Sequence, residues 1–216
     1  MLRSRSRLSI LALAVFASTA AAAMRRDEVV PAKAGSDWRQ VATEEDRSRV
    51  RHWRDAWVQA LARANLANAG EIAAGGPLFE PDNALAEVQP PAGDYICRTV
   101  KLGRAPQGGP AAGLLDYVEY PAFRCRVALE GGRLHFTKLT GSQRPAGILF
   151  PDNGRRMIFL GTLMLGDETR ALRYSRDRER DMIGIMERIG DRRWRLVFPR
   201  PNFESMLDVI ELTPSR

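Results

Sequence analysis

Two cysteines, two histidines and a scatter of carboxylates form the reactive inventory of this 216-residue chain. Cys97 and Cys125 each sit in a strand-like run, 94–100 and 123–127, and in an oxidising compartment they are expected to pair. The bridge would close a 29-residue loop and contribute roughly 3–4 kcal/mol by loop-entropy reasoning. The alternatives are two buried free thiols or a redox-active pair, but the C-x-x-C spacing that favours redox chemistry is missing. His52 and His135 lie far apart without ligand spacing, so no metal site is expected. Gly-x-Ser-x-Gly and the lysine-bearing phosphate loop are also missing. No catalytic residue and no cofactor is therefore assigned. Converging carboxylates such as Asp94, Asp116 and Glu119 would be needed for a glycosidase-type hydrolase, the least favoured of the readings. The ligand-binding candidates are Tyr95, Arg98, Lys101, Tyr117, Tyr120 and His135, polar groups carried by runs that would line a barrel or its mouth.

The elements that must position these groups are mostly strands. Beyond Gly93, short runs rich in β-branched, aromatic and aliphatic residues alternate with turn signals. They predict strands at about 94–102, 116–120, 123–130, 133–140, 147–150, 156–165, 170–175, 182–189, 193–199 and 206–212. Tight connections such as Glu130-Gly131-Gly132 and Asp152-Asn153-Gly154 imply hairpins, hence antiparallel pairing. The expected fold is mainly β, a meander of 8–10 strands closing into an up-and-down, lipocalin-like barrel. Alternation puts Phe123, Cys125, Val127 and Leu129 on one face, and Trp194, Leu196 and Phe198 opposite Arg193 and Arg195. On the first strand two arrangements stay open. Either Tyr95, Cys97, Thr99 and Lys101 point inward, or Ile96, Val100 and Leu102 do, with the bridge outside.

One N-terminal amphipathic helix is expected to flank the barrel. Thr43 precedes Glu44, Glu45 and Asp46, an N-cap followed by acids in the first turn. Val50, Trp53, Trp57, Leu61 and Ala64 make one apolar stripe, and Gly70 is the expected stop. The tryptophans are read as docking this helix onto the domain rather than onto a membrane surface. Residues 70–93 form a connector pinned by Leu78, Phe79, Leu85 and Val88, and the glycine-rich stretch 103–114 is a candidate flexible rim. The charged run from Asp167 to Asp181 reads as a solvated hairpin.

Residues 1–23 carry Arg3, Arg5 and Arg7, an apolar core from Leu8 to Ala17 and small residues up to Ala23, the layout of a cleavable secretory signal peptide. A periplasmic location follows, with no transmembrane segment after cleavage. The expected divisions are a signal at 1–23, a loose segment at 24–42, helix and connector at 43–92 and the barrel at 93–214. The mature chain would hold 30 basic and 26 acidic residues, a balance of +4 in which only Lys33, Lys101 and Lys138 are lysines. With no basic cluster interleaved by aromatics, nucleic acid is not an expected partner; a small molecule is a possible one, and a protein partner is unknown.

The segment Gly93-Asp94-Tyr95-Ile96-Cys97-Arg98-Thr99-Val100-Lys101-Leu102-Gly103 resembles the central motif of the bacterial domain of unknown function 4893 family. The blocks Phe123-Arg124-Cys125, Lys138 to Arg144, Phe150-Pro151-Asp152 and Trp194 to Pro201 are similar to its later blocks. The resemblance runs from about Trp38 to Pro214. It implies an exported protein of Gram-negative bacteria and transfers no catalytic residues. A weaker fold-level resemblance to lipocalin-like barrels rests on the Gly-x-Tyr at Gly93 to Tyr95. The expected function is binding of a small apolar or anionic envelope ligand; the alternative is a scaffold role for an outer face without a pocket.

Overall fold

The computed structural model describes residues 37–105 and 115–215. The signal segment, most of the segment 24–42, Lys33 and most of the glycine-rich stretch after Gly103 lie outside the described residues.

Nine strands follow the helices: β1 (Gly93–Arg104), β2 (Tyr117–Glu119), β3 (Phe123–Glu130), β4 (Arg133–Lys138), β5 (Arg144–Asn153), β6 (Arg156–Met164), β7 (Asp181–Gly190), β8 (Arg193–Pro199) and β9 (Ser205–Pro214). Every pairing is antiparallel, and β1 pairs with β9 from Tyr95↔Pro214 to Arg104↔Ser205. That pairing closes β1 and β3–β9 into an eight-stranded barrel, with β2 as an extra strand. An antiparallel sheet closed this way leaves no exposed edge among the barrel strands. The hairpins follow from the turn residues: Gly131 and Gly132 both have positive φ between partners Glu130 and Arg133, the geometry of a two-residue turn that glycine adopts freely.

Most strand boundaries shift by a residue or two, one strand is much longer than expected, and one expected strand does not form. Residues 147–150 belong to a ten-residue β5. The stretch 170–175 lies in the β6–β7 connection without pairing. Its Tyr174 hydroxyl instead bonds Thr43 and the Asp46 carboxylate of the helix below, which takes this segment off the sheet.

The single flanking helix is three. α1 (Trp38–Val41) is a short turn within the stretch expected to be loose; its Trp38 is buried and its indole Nε1 donates to Asp152 at 2.8 Å. α2 (Glu44–Arg51) begins at the Thr43 cap, which accepts from the Asp46 N–H. The chain bends at His52, and α3 (Trp53–Gly75) continues past Gly70, with a local break at Asn68. Gly70 does not stop it because nothing there requires a left-handed residue; Gly76, at φ +49, ends it. The face that α3 buries is Ala56, Trp57, Ala60 and Ala64, with Trp53 and Leu61 on its flank. Alanines four apart let the helix lie close to β1, and a side chain on Gly103 (φ +64) would meet the Ala60 Cα at 3.0 Å.

β1 is buried on both faces for this reason. Tyr95, Cys97, Thr99 and Lys101 point into the barrel, while Val100 and Leu102 point outward under α3. Ile96, expected to share a face with them, lies uncovered.

Candidate functional site

The two ends of the barrel differ. At the end where β1 begins, the connector enters as a plug. Trp194 Nε1 donates to the Val88 carbonyl at 2.8 Å, Tyr95 Oη donates to the Pro91 carbonyl at 2.6 Å, and the two rings meet edge to face. Leu134, Phe136, Phe159, Met186 and Leu196 fill the space beside them. Burial pushes the Tyr95 phenol up to about 12. This end is packed as a core.

Midway, the Cys97–Cys125 disulfide spans the neighbouring strands β1 and β3 inside the barrel, with Cα atoms 5.9 Å apart. Above it β1 leaves β3. Its pairing with β3 stops at Cys97↔Phe123, and β2 takes over at Val100↔Glu119. At that parting a cavity of about 340 Å³ opens. Its walls are apolar: Phe123, Leu163, Met182, Phe198 and Ile210, with Phe203 at the rim. Such a volume suits one small molecule.

The polar groups in this cavity come from β1, β4 and β9 and from the loops that carry Gln143 and Glu204. Lys101 on β1 donates to Glu204 Oε2 at 2.6 Å and Gln143 Oε1 at 2.9 Å, with Asp208 Oδ2 at 3.8 Å. Burial opposes its charge, but the Asp208 and Glu204 carboxylates outweigh that and hold its pKa above the usual lysine value. Asp208 on β9 is buried, and that burial raises its pKa although Lys101 and a hydrogen bond from Ser205 Oγ oppose the rise. Lys138 at the end of β4 is only 4 % exposed. Its Nζ donates to the Gln143 carbonyl at 2.9 Å and stands 3.5 Å from the centre of the Phe123 ring. No ion pair holds it among the described residues, and burial, with Lys101 and Arg144 nearby, brings its pKa down to about 8. Finally the Thr99 hydroxyl, buried on β1, has no hydrogen-bond partner. A buried polar atom left unpaired is uncommon, and here it borders a hollow.

Of the sequence candidates, the cavity gathers Lys101 and Tyr120. Tyr95 belongs to the packed end. Arg98 points outward and pairs with Glu119 at 2.7 Å and Glu211 at 2.7 Å. Tyr117 lies under α3 against Phe79, its hydroxyl donating to Glu119; burial and that carboxylate raise its pKa. His135 alternates with the inward Leu134 and Phe136 and so takes the outer face. The carboxylates Asp94, Asp116 and Glu119 do not converge: each meets a different arginine, Arg126, Arg63 and Arg98.

Sequence reasoning missed Lys138, Gln143, Glu204 and Asp208. Lys138 was within reach, since Leu134, Phe136 and Lys138 share one face of β4 by simple alternation, and it is one of only three lysines. Asp208 was within reach too, since it shares one face of β9 with Ile210 and Leu212, whereas Gln143 and Glu204 sit in loops, where no periodicity marks them.

Fold and site together define an eight-stranded antiparallel β-barrel, plugged at one end and hollow at the other, with an amine and a hydroxyl in an apolar chamber. A family model, Domain of unknown function (DUF4893), matches residues 38–212, and the chain belongs to that family. No curated protein and no solved structure matches it. Among the described residues no helix is long and apolar enough to cross a membrane, and no group of three or more His, Cys, Asp or Glu gathers as a metal site.

Proposed function

We propose that this protein binds one small, largely apolar molecule in the open end of its barrel, by a polar head that accepts hydrogen bonds. The observation that carries this reading is an apolar hollow lined by a hydroxyl without a partner, Thr99, and by a buried amine, Lys138, that makes no ion pair among the described residues. A head with acceptor oxygens, neutral or anionic, satisfies both, while the tail replaces water against Leu163, Met182 and Phe198. In this reading the protein works outside the cytoplasm, supported by the residue pattern of 1–23 and by the bridge between Cys97 and Cys125.

Titration with 1-anilinonaphthalene-8-sulfonate, an apolar ring system with an anionic head, tests it. We expect saturable binding at one site, competed by octanoate and by octanol. Ser142 is exposed at the cavity rim, so Ser142→Trp should obstruct entry without disturbing the core and weaken binding at least tenfold. Non-saturable binding, or binding unchanged by Ser142→Trp, would overturn the proposal.

A further inference from the structure

The environment of Lys138 disfavours an ammonium ion, whereas that of Lys101 favours one. A neutral amine has two N–H bonds and one lone pair. Around Lys138 Nζ the structure supplies two acceptors for N–H bonds, the Gln143 carbonyl oxygen at 2.9 Å and the face of the Phe123 ring at 3.5 Å. It supplies no carboxylate in ion-pair contact among the described residues. Lys101, in the same chamber, is treated in the opposite way: Glu204 and Gln143 bind it directly and Asp208 stands close by, which keeps it an ammonium. Two amines of one cavity thus have different surroundings, and the one without a carboxylate in contact shares its walls with the unpaired Thr99 hydroxyl.

We infer that the barrel captures a small aldehyde or ketone covalently, Lys138 forming a reversible Schiff base with it. This rests on the binding reading above and names the head group as a carbonyl. The Lys138 nitrogen lone pair adds to the carbonyl carbon, and the carbonyl π pair moves onto oxygen, which takes up a proton that the nitrogen gives up. The carbinolamine then loses its hydroxyl, with the second nitrogen proton, as water, leaving a C=N bond. One carbonyl compound enters and one water leaves, with no oxidant or reductant. The Thr99 hydroxyl is a donor for the oxygen while it bears charge, and the apolar walls disfavour the returning water.

The groups facing Lys138 are Lys101 on β1, Asp208 on β9 and Arg144 on β5; the two cations favour the neutral amine and Asp208 opposes it. A lysine titrating at about 8 has, at pH 7.5, roughly a 200-fold larger neutral fraction than one at the ordinary 10.5.

The chain's three lysines make the test simple, because Lys33 and Lys101 serve as internal controls. The full chain is incubated at pH 7.5 with hexanal and sodium cyanoborohydride, digested, and the reduced adducts are mapped by mass spectrometry. Lys138 should be labelled at least tenfold faster than Lys33 or Lys101, and filling the cavity with 1-anilinonaphthalene-8-sulfonate should slow it. Lys138→Met should remove the adduct, while a near-ultraviolet circular dichroism spectrum and a cooperative thermal transition like those of the wild-type chain show the barrel intact. Dye binding with hexanal adducts spread evenly over the lysines sinks the covalent inference alone. Failure of the dye to bind the wild-type chain sinks the pocket reading beneath it.

Discussion

Lys138 carries a conflict between stability and use. Burying an ammonium without a partner is unfavourable, and holding its pKa near 8 instead of 10.5 costs the folded state at most about 3 kcal/mol at neutral pH. The folded pKa lies below the unfolded one, so between about pH 8 and 10.5 the unfolded chain binds more protons. The cost is fully present below pH 8 and disappears as the pH rises through that window. Lys138→Met, close in shape and free of charge, should therefore raise stability by about 1–3 kcal/mol at pH 7 and by little at pH 10.5, while reducing affinity for a head group that accepts hydrogen bonds. Urea unfolding at the two pH values checks the sign. A variant less stable at pH 7 would show that the Gln143 and Phe123 contacts outweigh the desolvation.

At the scale of elements, the outer face of β7 and β8 shows how the connector is fixed. Arg195, fully buried, donates to Glu187 at 2.8 and 2.6 Å and to the carbonyls of Pro77, Leu78, Glu80 and Pro81, with its guanidinium over the Trp57 ring. Arg156 reaches the other Glu187 oxygen at 2.7 Å. One side chain thus ties the turn after α3, the helix itself and the barrel wall together. Such a cluster is worth less than its bonds suggest, because both charges were desolvated to make it; removing one partner is what exposes the cost. Glu187→Ala should destabilise by about 3–5 kcal/mol, and adding Arg195→Met to it should recover part of that loss. Thermal unfolding of the single and double variants decides it. A double variant equal to the sum of two separate losses would mean that the pair is not coupled.

Over the whole molecule, closure, bridge and compartment are linked. The Cys97–Cys125 bridge joins β1 to β3 just where the two strands part to open the cavity. Replacing both cysteines by serine should lower stability by roughly 3–4 kcal/mol, and, on the export reading proposed above, protein directed to the periplasm should resist thiol alkylation until reduced. Alkylation without reductant would remove the bridge and the export reading that leans on it. All of the expected strands but 170–175, the antiparallel meander, the hairpin at Gly131-Gly132, the Thr43 cap and the cysteine pairing were legible in the sequence, because each depends on neighbours a few residues apart or on a period of two. Arg195 read as an outward charge and proved the most buried cation among the described residues, since alternation reports which face a side chain takes and not what later covers that face. Tyr117 and Arg98, both expected at the barrel or its mouth, take the outer face instead, Tyr117 beneath α3 and Arg98 in pairs with Glu119 and Glu211. Lys138, Asp208 and Glu204 lie about seventy residues apart in the chain from first to last and meet only because β4 and β9 belong to one closed wall. The local alphabet determined a barrel with an inside; burial, which sums over the whole fold, decided that one end of that inside stays hollow and leaves an amine there without an acid.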